Sequence, residues 1–246
     1  MTTVADKPHR TPIWLVVLLT LGSLILVALL LMRPFLFQPF NVPASSMEPT
    51  LLIGDYFFVS KFAYGYSRYS LPFSLPLFSG RIFGKEPQYG DVVLFRTPHN
   101  TSINYVKRVV GLPGDRVQMI DGQLYLNGKP VPREQLADVF YEGRPVKRWR
   151  ETLPNGAQYV TLDLTGNGFL DNTNLYVVPS GHYFMMGDNR DNSQDSRVLG
   201  QVGYVPFENL VGRAEIIFWS VVPGAAGNSR VRQERIGLRV RQRATG

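Results

Sequence analysis

The chain has 246 residues, 44% of them apolar and none of them cysteine, which excludes thiol nucleophiles, disulfides and cysteine-ligated zinc. Its 23 glycines and 18 prolines exceed the ~12% that average usage assigns to the two together, and suit many strands and turns better than long helical bundles. Of the formal charge of +7, +5 sits in residues 230–246, so the basic balance is a terminal appendage and not the footprint of a nucleic-acid-binding face.

Residues 13–32 read IWLVVLLTLGSLILVALLLM, without a charge. At about 1.5 Å per residue a helix of that length measures ~30 Å, the thickness of a bilayer's hydrocarbon core. Lys7, Arg10 and the N-terminal amine precede it and Arg33 follows. That bias expects residues 1–12 in the cytoplasm and everything after Arg33 outside. A cleaved signal peptide ending at Val42-Pro43-Ala44 is the competing reading. The apolar run is longer than an h-region, Ala44 lies well beyond its end, and proline just before the cut is a poor substrate geometry. A retained single-pass anchor is the expectation.

Next comes Pro43-Ala44-Ser45-Ser46-Met47-Glu48-Pro49-Thr50-Leu51, where two prolines restrict the backbone around a pair of serines. A hydroxyl on a stiff, extended segment is expected there. Strands are predicted at 55–60, 91–96, 104–110, 116–120, 123–126, 158–162, 176–178, 183–186 and 214–222. Residues 64–89, rich in aromatics and proline, read as a long loop, either packed on the body or dipping into a membrane interface. Within 104–110, Lys107 interrupts an apolar run, and alternation puts Tyr105, Lys107 and Val109 on one face. A buried lysine there loses its proton more easily, toward the ~7–8 useful for a general base. Asp121-Gly122 and Asn127-Gly128 are tight-turn pairs. After the apolar strand at 183–186 comes Gly187-Asp188-Asn189-Arg190-Asp191-Asn192-Ser193-Gln194-Asp195-Ser196-Arg197. Its carboxylates do not match an EF-hand loop, and two arginines within it repel a cation. His9, His99 and His182 have no metal-ligand spacing either, so no metal and no other cofactor is expected.

No helices separate these strands, which argues against a parallel sheet. The expected fold is mainly β: a single N-terminal transmembrane helix, then an antiparallel β-sheet domain (37–114 and 175–224) with an inserted second β lobe (115–174). Residues 225–246 form the basic tail, either solvated or lying against anionic lipid.

Four segments occur in one order: Ser46 to Leu51, Gly90 to Phe95 (GDVVLF), Lys107 to Asp115 (KRVVGLPGD) and Gly187 to Arg197. Together they resemble the type I signal peptidases of bacteria, serine proteases with a Ser/Lys dyad, over most of the chain from Phe40 to about Val222. The resemblance implies that Ser46 is the nucleophile and Lys107 the base, with no acidic third member. It makes Ser193 the serine that hydrogen-bonds and orients the lysine. It makes Arg108 with Asp188, and Asp195 with Arg197, the ion pairs that brace the third loop. Phe40, Val42, Pro43, Met47, Leu51, Tyr105 and Val106 would line shallow pockets for small residues at −3 and −1 of a signal peptide. The sequence departs from the family at Ala44, where many relatives carry a serine whose hydroxyl helps hold the oxyanion. Ser45 stands where they often have glycine.

The implied protein removes signal peptides from exported preproteins at the outer face of the bacterial inner membrane. It contacts lipid, binds no nucleic acid and works as a monomer. A self-cleaving Ser-Lys repressor would need a helix-turn-helix ahead of the β domain. An inactive membrane-tethered scaffold would lack the nucleophile or the base, and no G-x-S-x-G elbow supports a Ser-His hydrolase.

Overall fold

The computed structural model describes residues 12–71, 74, 77–141, 143–222, 224 and 230–240, and only the backbone of 29–34. Helix Ile13–Leu36 runs for 24 residues, four beyond the predicted Met32. Among the described residues no helix is long and apolar enough to cross a membrane. The described large apolar side chains of this helix are mostly exposed, from Trp14 to Val27.

The body is mainly β. Its largest sheet has eight strands, all antiparallel. Phe37–Asn41 pairs with Asp55–Ser60, which pairs with Leu210–Val222. That long strand meets Val92–Arg96, then Asn104–Gly111 and His182–Met186 follow. Val92–Arg96 (VVLFR) shows why this is the centre. Val92 and Leu94 pack with Met47, Leu51 and Phe57 on one side, while Val93 and Phe95 pack with Tyr64, Val109 and Met185 on the other. Four consecutive apolar residues in a strand can only be covered on both faces.

Arg116–Ile120 and Gln123–Leu126 form the expected hairpin, with Asp121 at φ 48° and Gly122 at φ 70°. Both central residues are left-handed, the geometry that matches strand twist in a two-residue turn. Val117, Met119 and Leu124 of this hairpin share one apolar cluster with Val110, Phe184 and Met186 of the large sheet. Arg133–Tyr141 and Arg144–Thr152, which carry no predicted strand, form a ribbon continued by Gln158–Asp163. The ribbon's first two strands are rich in charge and bury few apolar side chains, so they show no clear apolar alternation. Cross-strand pairs hold them instead, among them Arg150 with Glu134 at 2.8 Å and Arg133 stacked over Trp149.

Residues 64–89 are packed on the body in part. Tyr64 and Tyr69 are core residues, whereas Leu77, Ile82 and Phe83 are exposed. The described part of the basic tail, residues 230–240, is tied to the body. Arg230–Val231 pairs with the end of Leu210–Val222, and Arg232 and Arg235 both reach Asp55, a fully buried carboxylate.

Candidate active site

Ser46 does not sit on an extended segment. Ser45–Met47 is one turn of 3₁₀ helix between extended Ala44 and Glu48, and Met47 anchors it in the core. The prolines at 43 and 49 bound the turn, and the backbone between them curls tightly. Lys107, in Asn104–Gly111, is 3% exposed and donates from Nζ directly to Ser46 Oγ. Its ammonium also lies 5.5 Å from the Tyr105 ring centroid, as two residues on one strand face should. Burial lowers the Lys107 pKa from 10.5 to about 8. The Asp195 and Asp188 carboxylates oppose that and Arg197 assists it, but desolvation dominates.

The loop from Gly187 to Arg197 supplies the remaining frame. Gly187 passes so close to the dyad segment that a Cβ there would lie 2.5 Å from Ser46 O and 2.2 Å from Ser193 Oγ. Asn189 donates its backbone N–H to Ser46 O (3.1 Å) and its side-chain amide to Ser45 O (3.3 Å). Asn192 Nδ2 donates to Ser45 Oγ at 2.7 Å. The Asp188 carboxylate takes Arg108 Nε (2.8 Å) and Nη2 (2.6 Å), with Thr50 Oγ1 donating to it as well. Arg197 makes the same two-pronged contact with Asp195, which also accepts from the Gly187 N–H. Burial works to raise the Asp195 carboxyl, and the guanidinium beside it more than offsets this and holds it below its ordinary value.

One expected contact is not made. Ser193 Oγ is buried beside the dyad but has no hydrogen-bond partner among the described residues, while Lys107 Nζ donates to Ser46. All seven residues expected to line the small-residue pockets do lie along one cleft of about 740 Å³, together with Ser46, Lys107 and Ser193. Ala44 lines it too and brings no side-chain donor. The sequence does not single out Asn189 and Asn192, whose amides hold the Ser46 turn, or Thr50, whose hydroxyl joins the Arg108–Asp188 pair. They lay inside the recognised segments, but nothing in their spacing reveals which groups they reach. Nor does the sequence single out Glu151, which meets Arg190 of the loop at 2.5 Å from the charged ribbon.

A serine and a desolvated lysine in direct hydrogen bond, beside an open cleft of predominantly apolar lining, are the arrangement a serine peptidase needs. The comparisons agree: the profile of the signal peptidase family, peptidase S26, matches residues 14–219. The chain belongs to that family. A signal peptidase I of Rickettsia massiliae (strain Mtu5) is 46% identical over 200 residues, 78% of this chain and 74% of the relative. One from Rickettsia typhi (strain ATCC VR-144 / Wilmington) is 45% identical over 78% of this chain and 75% of the relative. A solved signal peptidase I from Enterococcus faecalis V583 is 27% identical, with a TM-score of 0.31 over 52% of this chain and 97% of that one.

Proposed function

We propose that this protein removes signal peptides from exported preproteins by cutting after small residues at −3 and −1. The direct Lys107–Ser46 hydrogen bond, inside a cleft that holds every pocket residue, is the observation that carries the reading. With Lys107 neutral, its lone pair accepts the Ser46 proton as the oxygen attacks the scissile carbonyl. The Ser46 N–H faces the developing oxyanion, and Ala44 supplies no second donor. Collapse expels the amine of the mature chain, which takes the proton from Lys107. Lys107 then activates the water that releases the signal peptide from the Ser46 ester. Ser193 orients the lysine amine when the chain is engaged with substrate. An extended substrate adds as a strand beside Val42 and Val106.

We further infer that Ile13–Met32 spans the bacterial inner membrane, with residues 1–12 in the cytoplasm and the β body outside. The long exposed apolar face of the helix needs a cover, and lipid provides one. A neighbouring aromatic surface supports this: Phe37 packs on Phe62 at 5.4 Å, Phe58 stacks on Phe218 at 4.3 Å, and Tyr56 and Trp219 stand exposed beside them. That surface, on the sheet next to the helix, suits the headgroup boundary where preproteins present their cleavage sites. The enzyme acts there as a monomer.

The test is cleavage of a secretory preprotein by the full chain in detergent, read by product mass. One cut after an Ala-x-Ala-like site, lost in Ser46→Ala, is expected. No cut by wild type, or equal cutting by the variant, overturns the reading.

A further inference from the structure

A second cavity, of about 270 Å³, lies behind the Ser46 segment, between the large sheet, the inserted ribbon and the C-terminal tail. Among the described residues four arginines line it, Arg108, Arg148, Arg235 and Arg239, and no carboxylate does. The charges are not equally answered. Arg108 is held by Asp188 and Arg235 by Asp55, both outside the lining. Among the described residues Arg148 uses only Nε, on Ala137 O, Arg239 makes no side-chain hydrogen bond, and neither has a carboxylate within salt-bridge distance. Gln158 adds an amide to the same wall, and Thr50 and Tyr159 form the floor beside Arg108.

Two guanidinium groups, one from a ribbon strand and one from the tail, line the same cavity without an acidic partner among the described residues, so both are available to an anion that enters it. Their forked donors suit the paired oxygens of a phosphate better than a single-point acceptor. We propose that this cavity is an anion site for a phosphate group, held by Arg148 and Arg239 with Gln158 as a neutral donor. The floor gives the site a consequence. Thr50 touches both Arg108 and Asp188, so an occupant ties the tail and ribbon to the frame behind the nucleophile. A free phosphate and a phospholipid headgroup offer the same chemistry.

The experiment is a thermal-unfolding titration of the full chain in nonionic detergent at constant ionic strength, with inorganic phosphate against chloride. A parallel series uses nanodiscs of phosphatidylglycerol against phosphatidylcholine. Saturable stabilisation by phosphate, weakened about tenfold or more in the R148Q/R239Q double variant with preprotein cleavage retained, is the expected result. Stabilisation by phosphatidylglycerol alone, equally lost in that variant, assigns the site to a lipid headgroup. If the double variant does not fold, the single variants R148Q and R239Q each carry the same expectation in smaller measure. Stabilisation that does not saturate, or that is unchanged in every arginine variant, overturns the proposal. Binding is read without catalysis, so failure of this site and failure of the peptidase reading are separate results.

Discussion

At neutral pH most Lys107 amines still carry a proton, because burial brings the group down only to about 8. A general base works only when it is neutral, so kcat/KM should rise about tenfold per pH unit below 8 and level off above it. Steady-state cleavage between pH 6 and 10 checks this, and a flat profile would remove Lys107 from the role. The same burial has a stability consequence of definite sign. Because the folded pKa lies below the unfolded 10.5, the native state binds fewer protons between 8 and 10.5, and stability climbs with pH across that window. Lys107→Met removes the buried ammonium. It should be more stable than wild type at pH 7, by up to about 3 kcal/mol, with the advantage shrinking toward pH 10.5. Chemical denaturation of both proteins at the two pH values measures it. Gly187 is the other residue on which the site turns. A methyl there meets the Ser46 carbonyl and the Ser193 hydroxyl well inside contact distance, and the carbonyl is backbone that cannot swing away. Gly187→Ala should therefore cost about 1–3 kcal/mol and lower kcat, because an ångström of nucleophile displacement is worth about 10²-fold.

Among the elements, the tail shows where a sequence and a fold part company. Six arginines in the last 17 residues read as a solvated or lipid-facing appendage, since charge alone does not say which carboxylate waits in the body. Asp55 was legible only as the first residue of a strand. In the fold it is fully buried, bonded to Ser220 and the Leu52 N–H, and neutralised by Arg235 and Arg232 from far along the chain. Arg235 also donates to Thr50 O, so the tail is tied to the segment that carries Ser46. Arg235→Gln should lower stability by about 2–3 kcal/mol, somewhat less than full loss of a buried pair because Arg232 remains. A fall in melting temperature of several degrees tests it. The central strands and the Asp121-Gly122 turn were legible because apolar runs and left-handed turn residues state their own geometry. The ribbon strands were not, since residues 133–152 pair through charges and one stacked arginine. The Ser46 turn was half legible. Its prolines marked a constrained segment, but the curl is set by Asn189, which is 143 residues away in sequence.

For the whole molecule, the decisive contact is the one that joins the ribbon to the loop framing the dyad. Glu151 of Arg144–Thr152 meets Arg190 with both side chains almost fully buried, and Tyr159 donates to the same carboxylate at 2.6 Å. Tyr159 also lies under the Arg108 guanidinium, 4.3 Å from its ring centroid. The ion pairs of the loop are thus stacked against the inserted strands and do not stand alone over the large sheet. Burying a charge is tolerable only while its partner stays, so removing one side leaves the other unanswered. Glu151→Gln should lower stability by about 3–5 kcal/mol through the stranded Arg190. Because the Asn189 contacts to Ser45 and Ser46 ride on the same loop, kcat should drop as well, while KM for a short peptide changes little. Lys107 keeps its surroundings in this variant, so its pH limb near 8 should stay in place. Melting temperature, kcat and the pH profile measured together test the idea that the inserted strands act by holding the loop. A shifted pH limb with unchanged stability would place Glu151 in the electrostatics of the dyad instead.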